Sequence, residues 1–314
     1  MKTRKLGKDG PDLTVIGLGA WAIGGPWIWG WGTQDDQQSI DTIHRAIDLG
    51  INWIDTAAVY GLGHSESILG GALRGIRKKV IVATKCGLVW NNKGKVRNDL
   101  SPASIRKELE ASLQRLQTDY IDLYQFHWPD PNIPVEKSWE TMVQLKQEGK
   151  IRFIGVSNFD VPLLERCEKI AHVDSLQPQY NMVKRDSEKK ILPYCEQVGV
   201  GVVAYSPMMS GLLSGKFDLS KIAAGDWRRK SDDFREPKLS KHLALVDELR
   251  PIANKYNATV AQLVVAWVLK QHTVTSAIVG ARRPDQVVEN VKSAELEISD
   301  EDWETIENTI QNIS

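Results

Sequence analysis

The sequence predicts an α/β fold of the (β/α)8 TIM-barrel class, and three observations carry that reading. Short runs rich in β-branched residues recur eight times with amphipathic helical patterns between them, as expected of parallel strands joined by crossover helices. The chain has 314 residues, 42% of them hydrophobic. That supports one large core and requires no second domain, so residues 1–314 are read as a single barrel domain. Three connections are longer than the architecture needs, and each leaves the C-terminal end of a strand, the face on which such barrels carry function.

Taken in order, the strand runs are Val15-Ile16, Ile51 to Ile54, Val80 to Ala83, Ile121 to Tyr124, Phe153 to Val156, Ser175 to Gln177, Val200 to Ala204 and Ala277 to Val279. The first helix is signalled by Ile40, Ile43, Ala46 and Ile47, with Gly50 placed as a C-terminal cap. Ser101-Pro102 supplies a capping residue and a Pro at the first helical position, ahead of a stripe of Ile105, Leu109, Leu113 and Leu116. Further helical patterns run near 134–148, 161–171, 187–198, 240–256, 258–270 and 284–291, and Ser299 is placed to cap a final surface helix. The long connections are Ala20 to Gly32, Gly87 to Leu100 and Ser206 to Leu239. Trp21, Trp27, Trp29 and Trp31 crowd the first, Trp90 lies in the second, and Trp128 follows His127. As a group they predict an aromatic pocket wall, with Trp21, Trp27, Trp29, Trp90 and Trp128 as the substrate-contacting set.

Composition narrows the function classes. The 40 basic and 40 acidic residues cancel, which removes any global electrostatic case for nucleic acid or an anionic membrane as partner. The three cysteines, Cys86, Cys167 and Cys195, are odd in number and lack metal-ligand spacing, which predicts a reduced, cytoplasmic setting. No stretch reaches the roughly 20 apolar residues of a membrane span. A metal-dependent hydrolase on the same fold is disfavoured, because the six histidines include no His-x-His at a strand end. No metal site is expected.

Two motifs compete for the chemistry. Gly17-Leu18-Gly19-Ala20-Trp21-Ala22 matches the dinucleotide pattern G-x-G-x-x-A after a strand, but Gly24, Gly25 and Pro26 follow where that pattern needs a helix to begin. The glycines are read instead as allowing a tight exit from the first strand. The second constellation is more specific. Asp55 and Tyr60 follow the second strand run, Lys85 closes the third and His127 closes the fourth. Hydride transfer to a carbonyl needs a proton donor, a cation that makes it acidic, a carboxylate that fixes the cation, and a neutral donor for the developing oxyanion. Tyr60, Lys85, Asp55 and His127 fill those four roles if the strand ends share one face.

Along nearly the whole chain these residues resemble the aldo-keto reductase family, through Asp55 to Gly61 with Ser65-Glu66, Thr84-Lys85, Gln125 to Asp130, Gly155 to Phe159 and Gln177 to Asn181. The resemblance implies the same tetrad, with Lys85 lowering the Tyr60 pKa. It also implies a nicotinamide cofactor extended across the barrel mouth, its carboxamide held by Ser157, Asn158 and Gln179 and its ring stacked on Tyr205. Ala20 and Trp21 are placed at the same cofactor site. Ser206, Pro207, Met208, Gly211, Leu212 and Lys216 belong to a segment that looks like the family's pyrophosphate strap. Gly280, Arg282, Gln286, Glu289 and Asn290 resemble its last cofactor motif. Arg282, with Arg283 as an alternative, suits a 2′-phosphate, which favours NADP over NAD; Arg228, Arg229 and Lys230 are placed to cover the same phosphate. The expected partner is a small carbonyl or alcohol. The chain also looks like the potassium-channel β-subunits of this family, which implies a cofactor-binding interaction module as the alternative.

Overall fold

A computed structural model describes residues 1–313. Eight parallel strands close into a barrel: β3 (Ile16–Gly19), β4 (Trp53–Asp55), β5 (Ile81–Cys86), β8 (Ile121–Phe126), β9 (Ile151–Ser157), β10 (Ser175–Gln177), β11 (Gly201–Ala204) and β12 (Val274–Gly280). They match the eight runs read from the sequence. Two short hairpins lie outside the barrel. β1 (Thr3–Lys5) pairs with β2 (Asp12–Thr14) before the first barrel strand, and β6 (Leu88–Trp90) pairs with β7 (Val96–Asn98) within the second long connection.

Helices α1 (Asp36–Asp48), α2 (His64–Ala72), α3 (Pro102–Leu116), α4 (Val135–Gln147), α5 (Val161–Glu168), α6 (Ile191–Val198), α7 (Lys238–Lys255), α8 (Val260–Lys270), α9 (Pro284–Val291) and α10 (Asp300–Ile313) surround it. Their caps follow the residue chemistry. Ser104 N–H donates to Ser101 Oγ at the start of α3, and Gly50 adopts a φ of +86° just past α1, the left-handed conformation that glycine takes without penalty. The helix after Ser299 is not confined to the surface. Trp303, Ile306 and Ile310 are buried in the main core, because α10 lies against α7.

Apolar side chains fill the barrel interior. Trp53, Ala83, Leu123, Val203 and Ile278 form one cluster with Leu6 and Leu13 from the N-terminal hairpin region. Trp53 also explains a glycine. A Cβ on Gly17 would fall 2.1 Å from the Trp53 indole, so the first glycine of the G-x-G pattern makes room for a core side chain rather than for a turn or a phosphate. No α-helix follows that pattern until Asp36.

Candidate active site

Strand register brings the four catalytic candidates together. Asp55 on β4 lies opposite Ala83 on β5, and Lys85 is two residues further along β5. Side chains two apart share a face, so the lysine can reach back across the strand pair. Its Nζ donates to Asp55 Oδ1 at 2.6 Å, to the Thr56 carbonyl at 2.8 Å and to the Tyr60 hydroxyl at 3.2 Å. Lys85 is 1% and Asp55 2% exposed. A buried pair of this kind is destabilised by several kcal/mol if one member is removed, because the other charge is left unpaired.

Tyr60 follows β4 in a tight turn that a second glycine contact fixes. Gly61 has φ of +61°, and its Cβ position falls 2.0 Å from the Gly24 carbonyl. The first long connection therefore seats directly on the turn that carries the phenol. The Tyr60 and His127 rings stand edge to face with centroids 5.7 Å apart.

The electrostatics refine the expectation for Tyr60. Burial raises its pKa and outweighs the lowering by Lys85, so the phenol sits above its usual value. Lys85 acts as expected without winning outright, and at neutral pH Tyr60 holds a proton to give. Burial opposes the Lys85 charge, but Asp55 and Tyr60 more than compensate and the lysine lies above its ordinary value. Burial, reinforced by Lys85, drives His127 well below the usual histidine range. His127 is thus a neutral imidazole.

Two cavities meet at Tyr60. Trp21, Gln177 and Tyr205 line both of them. The first runs past the ends of β3, β11 and β12 and is lined by Ser206, Pro207, Met208, Gly211 and Lys216, and at its far side by Gly280, Arg282, Gln286, Glu289 and Asn290. The second opens beside His127 and is lined by Trp27, Trp29, Trp128, Ser157 and Asn158. Tyr205 Oη donates to Asn158 Oδ1 at 2.9 Å, and Asn158 Nδ2 donates to Ser157 Oγ at 3.0 Å.

Four predicted residues fall elsewhere. Gln179 lines neither cavity, because β10 ends at Gln177 and beyond Pro178 the chain bridges to Tyr205 through its backbone. Gln177, the last residue of β10, lines both cavities, its Nε2 donating to Asp55 Oδ2 at 2.9 Å. The sequence signal for Gln177 is its position at the end of a strand run. Ala20 and Leu212 are fully buried and line neither cavity; Ala20 instead offers its carbonyl to Ser65 Oγ. Trp90, carried by the β6–β7 hairpin, lines neither cavity; it packs against the small cluster of Ala57, Val59 and Leu88, of which Val59 and Leu88 line the second.

The charged candidates at the far end are engaged. Arg282 Nε donates to Gln34 Oε1 at 2.7 Å, Nη1 to the Trp31 carbonyl at 3.2 Å, and Nη2 to the Thr33 carbonyl. Arg283 forks onto Asp285, Arg228 onto Asp226, and Lys216 reaches Glu289. Arg229 caps the carbonyls of Leu219 and Ile222, and Lys230 is exposed. Trp31 and Trp227, absent from the predicted site, close over this region. Trp21 packs edge to face on Trp31 at 5.4 Å and against Trp227 at 5.5 Å, and the Arg228 guanidinium lies 4.5 Å from the Trp31 ring centroid.

The first cavity fits a dinucleotide in its donor chemistry. A Cβ on Gly211 would meet nothing within 4 Å, and one on Gly280 only the Gly19 carbonyl at 3.9 Å, so bare backbone faces the space. The indole N–H groups of Trp21 and Trp31 are buried without a hydrogen-bond partner, as donors kept for a ligand would be.

Comparison with known proteins agrees with this geometry. The model of the aldo/keto reductase family matches residues 15–311. The aldo-keto reductase YhdN of Bacillus subtilis is 40% identical over 99% of this chain and 94% of its own length. The NADH-specific methylglyoxal reductase of Escherichia coli is 39% identical over 96% of each chain. Among solved structures, the glycerol dehydrogenase AKR11B4 from Gluconobacter oxydans superposes with a TM-score of 0.89 at 41% identity, over 99% of this chain and 95% of that one.

Proposed function

The chain belongs to the aldo/keto reductase family, a family of nicotinamide-dependent oxidoreductases, and on that premise we propose that it interconverts small neutral aldehydes or ketones and their alcohols, with NADP as its preferred cofactor. The observation that carries the reading is the Lys85 ammonium held between Asp55 at 2.6 Å and the Tyr60 hydroxyl at 3.2 Å, where two cavities meet. A reduced nicotinamide, when bound in the first cavity, supplies hydride. The chain's own residues do the rest. Tyr60 holds the proton that passes to the carbonyl oxygen, and Lys85 stabilises the phenolate left behind. Neutral His127 directs the carbonyl oxygen toward Tyr60. Gln177, tied to Asp55, replaces Gln179 in the set that holds the carboxamide with Ser157 and Asn158.

Arg282 lines the far end of the first cavity, and a guanidinium there favours a 2′-phosphate. The second cavity is walled by Trp27, Trp29 and Trp128, and no Asp, Glu, Lys or Arg among the described residues lines it, which favours neutral over anionic carbonyl compounds. The cysteines are buried and unpaired, which suits the cytoplasm. No helix among the described residues is long and apolar enough to cross a membrane.

Titration with NADPH and NADH, read through the 11 tryptophans, and then turnover on a panel of aldehydes tests the proposal. Cofactor binding with aldehyde-dependent oxidation is the expected result. Failure to bind either cofactor overturns it, and binding without turnover of any carbonyl or alcohol transfers the case to the interaction-module reading.

A further inference from the structure

The cations around the first cavity differ in what neutralises them. Arg228 has Asp226, Arg283 has Asp285 and Lys216 has Glu289, each within ion-pair distance. Arg282 has no carboxylate partner among the described residues. Its three engaged donor atoms end on neutral oxygens, those of Gln34, Trp31 and Thr33. The Gln34 contact is reciprocal: Oε1 accepts from Arg282 Nε at 2.7 Å, and Nε2 donates to the Arg282 carbonyl at 3.0 Å. Gln34 sits just before Asp35, the capping residue of α1, and it is paired with a residue 248 positions away. The amide thus orients a guanidinium without cancelling its charge, and the charge stays available to an anion.

We propose that Gln34 is a cofactor-specificity residue: a neutral clasp that holds Arg282 at the end of the cavity in the orientation and charge state that a 2′-phosphate recognises. This rests on the reading of the first cavity as the dinucleotide site. A carboxylate at position 34 would keep the orientation but complete an ion pair with Arg282 and repel a phosphate. A methyl group there would keep the charge but loosen the orientation, leaving only the Trp31 and Thr33 carbonyls to hold the guanidinium.

The two effects separate in two variants. Gln34→Glu raises the Kd for NADPH at least tenfold, and Gln34→Ala raises it about threefold. Both leave the Kd for NADH within twofold of the parent chain, and competition by 2′,5′-ADP against bound NADPH weakens in the same order while 5′-AMP is unaffected. Fluorescence titration gives the constants, and circular dichroism confirms that each variant folds. An NADPH-to-NADH Kd ratio in Gln34→Glu within twofold of the parent overturns the inference and leaves the proposed function standing. A parent chain that binds neither cofactor overturns both.

Discussion

Lys85 and Arg282 are cations at the same barrel mouth, but they are held in opposite ways. Lys85 is almost fully buried, and its partners sit on or just after the neighbouring strand, where register leaves one geometry. Arg282 is partly buried, and its partners belong to a loop that meets it from the other end of the chain. The first charge is cancelled by a carboxylate, and the second is only oriented by neutral oxygens. On the proposed function, the groups that move the proton are fixed by the strand ends, whereas the group that reads the cofactor is fixed by contacts between distant loops.

The largest expected effect tests the rigid side. Lys85→Met should lower kcat by about 10²–10⁴-fold, the range of general acid–base catalysis, and destabilise the fold by roughly 3–5 kcal/mol by stranding Asp55. Adding Asp55→Asn should recover stability in urea denaturation without recovering turnover. Recovery of both would show that the lysine serves only the fold.

Glu108 is the next lever on that side. Its two oxygens accept from the Gly87 N–H at 3.2 and 3.0 Å, just past the strand that carries Lys85. Burial raises its pKa from 4.5 to about 7. A carboxyl raised on folding is destabilising once ionised, so the contribution of Glu108 to stability is greatest below pH 4.5 and falls as pH rises toward 7, by about 3 kcal/mol. Glu108→Gln should remove that fall, measured by denaturation at pH 5 and pH 8; an unchanged difference between the two would refute the assignment.

Arg282→Ala probes the loop side and should be smaller. Loss of one charge-assisted contact, about 1.5–3 kcal/mol, should raise the NADPH Kd roughly 10- to 100-fold with kcat little changed. Equal weakening of NADH would mean that the residue holds the loop and does not read the phosphate.

The same contrast explains what was legible in the sequence. The barrel, its eight strands, and the meeting of Asp55, Lys85 and His127 follow from where apolar runs end, because a strand end fixes a side chain's position within a residue or two, whereas Tyr60, five residues past β4, is placed by the turn that Gly61 seats on Gly24. Gln177 obeyed that rule, and Gln179, beyond the end of β10, did not. The engagement of Arg282 by Gln34 and the closing of Trp31 and Trp227 join loops more than 190 positions apart, and no local pattern announces such a meeting. Trp90 stands behind the second cavity for a related reason: the β6–β7 hairpin gives its loop a structure of its own and packs the indole against the cluster that holds Val59 and Leu88, which themselves line that cavity.

On the proposed function Tyr60 gives the proton while the dinucleotide is held elsewhere, and Tyr60→Phe tests this division most directly. With NADPH binding and aldehyde turnover measured on the same preparation, the variant should bind cofactor within about twofold of the parent and lose turnover by about 10²–10⁴-fold. Turnover within a few-fold of the parent, with cofactor bound, would contradict it.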